Sequence, residues 1–350
     1  MKRAFIWVAF LIFLAYSTAS YADAGRTGAQ ILDMSGGTRA SGMGDTFAAV
    51  SGDVTAAFWN PSGLAPISER QITLLYSNRF AMFGGEADDM YYGLMAFATP
   101  IKTWGVFGTS LQMMENGTVP QTGDSPEVIG TIDLGMDWVW ALCYADEIAD
   151  GLMTGVNAKI IRQTLGPESG TAYAVDMGAQ YALDAVPLSI GLALQNLGTE
   201  IYLIDESQSS PLPRRLKFGL AVMLMDTPAH RLQIVTDYTS FVDKLSKTDE
   251  DKKWEEENDK EMDSRKAGIG AYALLPENSQ RGLGAEYWYS NVLGIRVGYR
   301  YVPEVDANHV TVGFSIRYAG YQLDYARVPG VGDIAEDGGD IDEFALLIRF

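Results

Sequence analysis

A single cysteine, Cys143, in 350 residues rules out an internal disulfide, so the fold is held without covalent cross-links. Histidine is nearly as scarce: His230 and His309 are the only two. They stand far apart, neither belongs to a zinc-type spacing, and each reads as a structural or surface residue. No nucleophile elbow and no phosphate loop occurs, and two isolated histidines supply no nucleophile with a base in reach. The expectation is a non-enzyme with no catalytic residue, no metal and no cofactor. Basic residues are also in deficit. Lys and Arg number 26 against 45 Asp and Glu, a formal charge of −19, which argues against a nucleic-acid partner. Long apolar runs are missing too. Beyond the opening segment nothing approaches the ~20 apolar residues of a spanning helix.

The two ends carry the first positive signals. Lys2 and Arg3 precede an apolar run from Ala4 to Tyr16, and small residues lead to Ala22-Asp23-Ala24. A basic start, a short apolar core and a small-x-small site describe a secretory signal peptide over residues 1–24, cleaved after Ala24 or, alternatively, after Ala22. At the other end Phe344, Leu346, Ile348 and Phe350 share one face of an alternating strand, and Ala345, Leu347 and Arg349 share the other. Many outer-membrane barrels end in such a strand with a C-terminal aromatic, so these four residues are expected to form the signal read by the barrel assembly machinery. With spanning helices excluded, residence in lipid leaves a closed β-barrel, because every backbone polar group must be paired there. The mean hydropathy near zero agrees, since barrels place apolar surface at every second residue.

From about residue 70 the chain is a series of alternating runs. Ile132, Leu134, Met136, Trp138, Trp140, Leu142 and Tyr144 oppose Thr131, Asp133, Gly135, Asp137, Val139, Ala141 and Cys143, which predicts one strand over Thr131 to Tyr144. Similar runs begin at Tyr173, Leu188 and Leu216, with glycine recurrent on the second face, a sign of close packing inside. Tyr287, Trp288 and Tyr289 suit an aromatic girdle. A large soluble sandwich or propeller would alternate likewise. The connections separate the two readings. Short links near Thr99 to Ile101, Ala145 to Asp150, Asp184 to Pro187, Asp226 to Ala229, Ser290-Asn291 and Ala319-Gly320 alternate with longer ones, and Leu165 to Gly170 is intermediate. Outer-membrane barrels show this rhythm of short periplasmic turns and long outer loops. The predicted fold is all-β, a transmembrane antiparallel β-barrel of about 14 strands over residues 69–350. Ala267 to Leu275 would be a fifteenth strand, but parity assigns it to an outer loop. The longest loop holds a charged insertion over about 243–266, readable as a solvated helix, a disordered loop or a partner-docking helix. The acidic stretch Asp333 to Glu343 lacks EF-hand spacing and reads as a polar loop rather than a calcium site.

Residues 25–68 do not alternate. Gly36-Gly37 and Gly42-Met43-Gly44 are not followed by a βαβ unit, so a phosphate loop is not indicated. Asp53 is placed to cap a short helix through Ala57. Asn60, Pro61, Ser62 and Gly63 spell a tight turn, with proline fixing φ and glycine taking a positive one. A compact, small-residue segment ahead of the barrel is expected to fill it as a plug, or hatch.

The runs Gly36-Gly37-Thr38-Arg39-Ala40-Ser41-Gly42-Met43-Gly44, Phe47-Ala48-Ala49-Val50 and Asp53-Val54-Thr55-Ala56-Ala57-Phe58-Trp59-Asn60-Pro61-Ser62-Gly63-Leu64 resemble the N-terminal segment of the PorV/PorQ family, within the wider FadL-like group of barrels. Leu283 to Tyr289, Arg296 to Tyr301 and Leu323 to Ala326 resemble its C-terminal half. The resemblance covers nearly all of the mature chain and departs from the family at the charged insertion and the acidic loop. It implies a hatch motif at Asp53, Asn60, Pro61, Ser62 and Gly63 in an outer-membrane barrel. The partners it implies are secreted proteins or subunits of a type IX-like secretion system. The alternative it implies is a FadL-like channel for hydrophobic small molecules such as long-chain fatty acids. The small, polar second faces of the runs above weigh against that channel.

Overall fold

The computed structural model describes residues 27–77, 90–122, 128–183, 186–204, 209–241, 279–302, 307–329 and 340–350. The expected signal peptide, the charged insertion, Ala267 to Leu275 and most of the acidic stretch lie outside these residues.

The strands are β1 (Gln71–Ser77), β2 (Tyr91–Ile101), β3 (Gly105–Glu115), β4 (Thr118–Thr122), β5 (Val128–Asp133), β6 (Met136–Ala149), β7 (Leu152–Leu165) and β8 (Glu168–Leu183). They continue with β9 (Leu188–Gly198), β10 (Arg215–Asp226), β11 (His230–Phe241), β12 (Ser279–Tyr289), β13 (Leu293–Val302), β14 (Ala307–Tyr318), β15 (Tyr321–Val328) and β16 (Ile341–Arg349). All except β4 and β5 join one closed antiparallel barrel of 14 strands, in which β1 closes the ring by pairing with β16. Closure leaves no open edge, the condition for a sheet to stand in lipid. The fold is therefore the transmembrane antiparallel barrel expected from the alternation and the connection rhythm.

Period-two alternation explains the wall. Leu74, Leu142, Tyr173, Leu192, Phe218, Leu283, Ile295, Val312, Phe314, Leu323 and Phe344 point outward and are exposed, while their sequence neighbours point in. A belt of this kind would be a large liability in water and is what hydrocarbon requires. The inner faces are small or polar on β8 to β10, as the alternation implied.

Four details differ from the sequence expectation. The run Thr131 to Tyr144 is two elements, not one strand. Gly135 turns the chain at φ 83°, and Asp133 accepts its N–H at 2.8 Å. The residues before the break pair with β4 in a separate hairpin at the long-loop end. The link from Leu165 to Gly170 is tighter than expected, because β7 and β8 pair through Leu165 and Glu168. Trp288 does not belong to a girdle, since alternation turns it inward, where it is 5% exposed, between the outward Tyr287 and Tyr289. Gly63 does not take a positive φ. Its lack of a side chain matters for space, as a Cβ there would lie 2.7 Å from the Val50 carbonyl oxygen and from Ala56 Cβ.

Residues 27–68 pack against inward-facing side chains. The segment comprises 3₁₀ turns Gln30–Asp33, Val54–Phe58 and Pro61–Leu64, and one helical turn, α1 (Thr38–Ser41). It starts near the long-loop end, where Gly28 N–H donates to the Pro211 carbonyl at 2.9 Å, and leads into β1 at the short-turn end. Ile201 and Leu212, from the connection between β9 and β10, bury against the start of this segment.

Candidate functional site: the lumen and its N-terminal segment

The segment needs a wall it can approach at backbone distance, and glycines supply it. A Cβ at Gly284 would lie 2.6 Å from the Met43 carbonyl oxygen. Gly42 and Gly313 sit back to back, so that a Cβ on the former would meet the Cα of the latter at 3.0 Å. Gly155 and Gly178 make room for Asn60, Pro61 and Ser62.

The predicted hatch residues are all buried at this contact. Asp53 caps the turn Val54–Phe58, with Oδ1 accepting from Thr55 N–H at 2.9 Å. Its Oδ2 accepts from Arg39 Nη1 at 3.2 Å. Asn60 caps the turn that begins at Pro61, accepting from Ser62 N–H at 3.2 Å and from Ser62 Oγ at 2.6 Å. Its Nδ2 donates to the carbonyls of Ala48, Ala179 and Leu192 at 2.8, 3.1 and 3.3 Å. One amide thus satisfies the segment's own backbone and that of β8 and β9 at once. Unpaired, these buried groups would each cost about 1–3 kcal/mol. The wall answers with amides of its own. Gln180 donates to the Ala48 and Val50 carbonyls at 2.9 and 3.1 Å, Asn157 to Ala57 at 2.8 Å, and Gln195 to Phe58 at 2.8 Å.

The other predicted set lies elsewhere. Phe344, Leu346, Ile348 and Phe350 face outward along β16, in register with β1 at Tyr76, Leu74 and Ile72 for the first three. Phe344 packs on Tyr325 with ring centroids 5.2 Å apart. Phe350 extends the closing seam by exchanging backbone hydrogen bonds with Arg70 at 3.0 and 3.1 Å.

Sequence reading missed the charged sector. Glu286 on β12 accepts from Arg39 of α1 through both oxygens, at 2.8 Å to Nε. It also accepts from Arg296 Nε of β13 at 2.7 Å, and Arg296 reaches Asp324 of β15 at 3.1 Å. Arg300 pairs with Asp45 at 2.5 Å. Asp237 of β11 accepts from the Phe47 and Ala48 N–H groups at 2.7 and 2.8 Å. Charges on a glycine-rich inner face were the available signal, but alternation assigns a face and not a partner across the lumen. Burial works against the charged form of Arg39, and Glu286 and Asp53 more than offset it, holding its pKa above the ordinary value. Burial alone would raise Asp53; the Arg39 guanidinium and the Thr55 hydrogen bonds hold it below the usual carboxylate range.

The opposite sector is apolar. Leu75, Leu94, Val106, Val139 and Ile161, on β1, β2, β3, β6 and β7, form one cluster with Ile31, Val54, Leu64 and Ile67 of the segment. The segment is therefore bound by ion pairs on one side of the lumen, and on the other by apolar contacts together with neutral amide hydrogen bonds from Gln71 and Asn157. Among the described residues no group of three or more metal-ligating side chains converges.

No family model matches the chain, and no curated protein matches it. Solved structures do. The crystal structure of the Pseudomonas putida toluene transporter TodX superposes with a TM-score of 0.54 at 11% identity, covering 89% of this chain and 96% of that one. A TodX monoaromatic hydrocarbon channel deltaS2 mutant gives 0.51 at 12%, covering 91% and 98%. At this identity the likeness speaks for the fold alone, and it agrees with a FadL-like barrel without bearing on the narrower PorV/PorQ assignment.

Proposed function

We propose that the protein is a non-enzymatic outer-membrane channel for small hydrophobic molecules, with residues 27–68 as the plug. The apolar sector of the lumen carries this reading. A hydrophobic solute needs apolar surface along its path, and the wall of β1, β2, β3, β6 and β7 turns Leu75, Leu94, Val106, Val139 and Ile161 inward as one cluster, alongside the buried amides Gln71, Gln112 and Asn157. On that side the plug can part from the wall without breaking an ion pair, at the cost of the neutral hydrogen bonds to Gln71, Asn157 and Gln163, while Arg39, Asp45 and the Asp237 hydrogen bonds hold it on the other. The matching structures, of the toluene transporter TodX and its monoaromatic hydrocarbon channel mutant, fall in the same substrate class. Short turns would face the periplasm and long loops the outside. Uptake of radiolabelled toluene by cells with and without the gene tests the reading. Uptake should fall on deletion and return with the intact gene; equal uptake would count against it.

A second reading, protein export of the PorV/PorQ type, is favoured by the N-terminal motifs and by one structural feature. The β4–β5 hairpin stands clear of the barrel at the long-loop end and exposes Val119, Val128, Ile129 and Ile132, a surface that a secreted protein or secretion subunit could cover. Comparing surface and periplasmic proteins with and without the gene separates the two readings. Cargo stranded in the periplasm would support export, and an unchanged distribution would leave the channel.

A further inference from the structure

Beneath the plug, at the short-turn end, lies a cavity of about 770 Å³, within the usual size range of ligand sites. Its wall includes Ser51 and Gly52 of the plug, Leu188, Met223 and Trp288, and the guanidinium groups of Arg317 and Arg349. These two arginines, from β14 and β16, converge on one neutral atom. Gln322 Oε1 accepts from Arg317 Nε and Nη2 at 3.0 and 2.7 Å and from Arg349 Nη1 at 3.1 Å. Arg317 also donates to Asn291 and lies over Trp288, 4.2 Å from the ring centroid. Gln322 is itself fixed by donating Nε2 to both oxygens of Asp324, at 2.9 and 2.8 Å.

Among the described residues, neither arginine forms a salt bridge. The nearby carboxylates are committed elsewhere: Glu286 to Arg39 and Arg296, Asp324 to Arg296, and Asp53 to Arg39. At the rim Arg231 and Asp226 neutralise one another at 3.0 Å. In a chain of net charge −19, this leaves a cavity floor with surplus positive charge and two planar forks served only by amides. Guanidinium pairs favour oxyanions, with charge-assisted bonds about twice as strong as neutral ones.

We propose that Arg317 and Arg349 form an oxyanion site facing this cavity, for a phosphate group carried either by a free solute or by a lipid headgroup. The site is independent of the channel reading, since it needs only the cavity and the two arginines.

The test uses the full mature protein. Inorganic phosphate is titrated calorimetrically into the detergent-solubilised barrel. In parallel, the barrel is reconstituted in nanodiscs of mixed phosphatidylglycerol and phosphatidylethanolamine, and lipid retained after release is read by native mass spectrometry. Saturable phosphate binding supports a solute-accessible site. Selective retention of phosphatidylglycerol without phosphate binding supports a headgroup site. Arg317→Gln with Arg349→Gln should weaken whichever signal is present by roughly tenfold or more. Gln322→Glu, which puts a carboxylate where both forks already point but loses the Nε2 bonds to Asp324, should abolish the signal, with heat-modifiability checking that the barrel is folded. Arg281→Gln, away from the cavity, should leave it unchanged. Absence of both signals in the native protein, or equal binding by Gln322→Glu, would overturn the proposal.

Discussion

At the scale of single residues, Glu286 joins the N-terminal segment to the barrel. It is 3% exposed and receives Arg39 from one side and Arg296 from the other. Glu286→Ala would leave two buried guanidinium groups short of a partner. Breaking a buried ion pair from one side typically costs about 3–5 kcal/mol, so denaturant unfolding in micelles should show a loss of that order, with Glu286→Gln losing less. Asp53 gives a pH statement with a definite sign. Its folded pKa lies below the ordinary 3.8, so its contribution is complete above that value and is lost as pH falls through the lower, folded one. Protease resistance of the N-terminal segment should therefore hold from neutral pH to about pH 5 and fail only in stronger acid. Loss near pH 6 would mean that another group holds the segment.

At the scale of elements, β16 closes the barrel and carries the residues expected to act as a C-terminal signal. Its outward residues Phe344, Leu346 and Ile348 pair in register with β1, and Phe350 caps the seam through Arg70. Phe350→Asp places a charge at the lipid interface on the strand that closes the ring, and outer-membrane yield by heat-modifiability should drop several-fold. Full yield would show that the terminal aromatic is not read. The elements were also where sequence reading worked best. Over Tyr173 to Leu183, Leu188 to Gln195 and Leu216 to Val222 large apolar residues alternate with small or polar ones on the faces expected, and the pattern is interrupted only beyond them, at Asn196 and at the bulge near Met223. It failed where one backbone torsion outweighs a pattern: Gly135 breaks an otherwise clean alternating run, and nothing in the periodicity marks it. Trp288 was misplaced because aromatic clustering was weighed above parity. The turns at Asp53 and Asn60 were legible, because their caps are local. The partners Arg39, Glu286 and Asp237 were not legible, because such pairing joins residues far apart in the chain, 247 positions for Arg39 and Glu286.

At the scale of the whole molecule, a barrel with two differently bonded inner sectors holds a segment between them. Ion pairs from β12 and β13 and the Asp237 hydrogen bonds secure one side, and an apolar cluster on β1, β2, β3, β6 and β7, with neutral hydrogen bonds from Gln71 and Asn157, meets the other. This arrangement suits an element that stays attached while one side opens. The direct measurement is single-channel conductance in planar bilayers of the intact barrel beside a variant lacking residues 25–68. With the segment as plug, the intact protein should be closed or nearly so and the shortened barrel should insert and conduct steadily. Equal conductance in the two would contradict it.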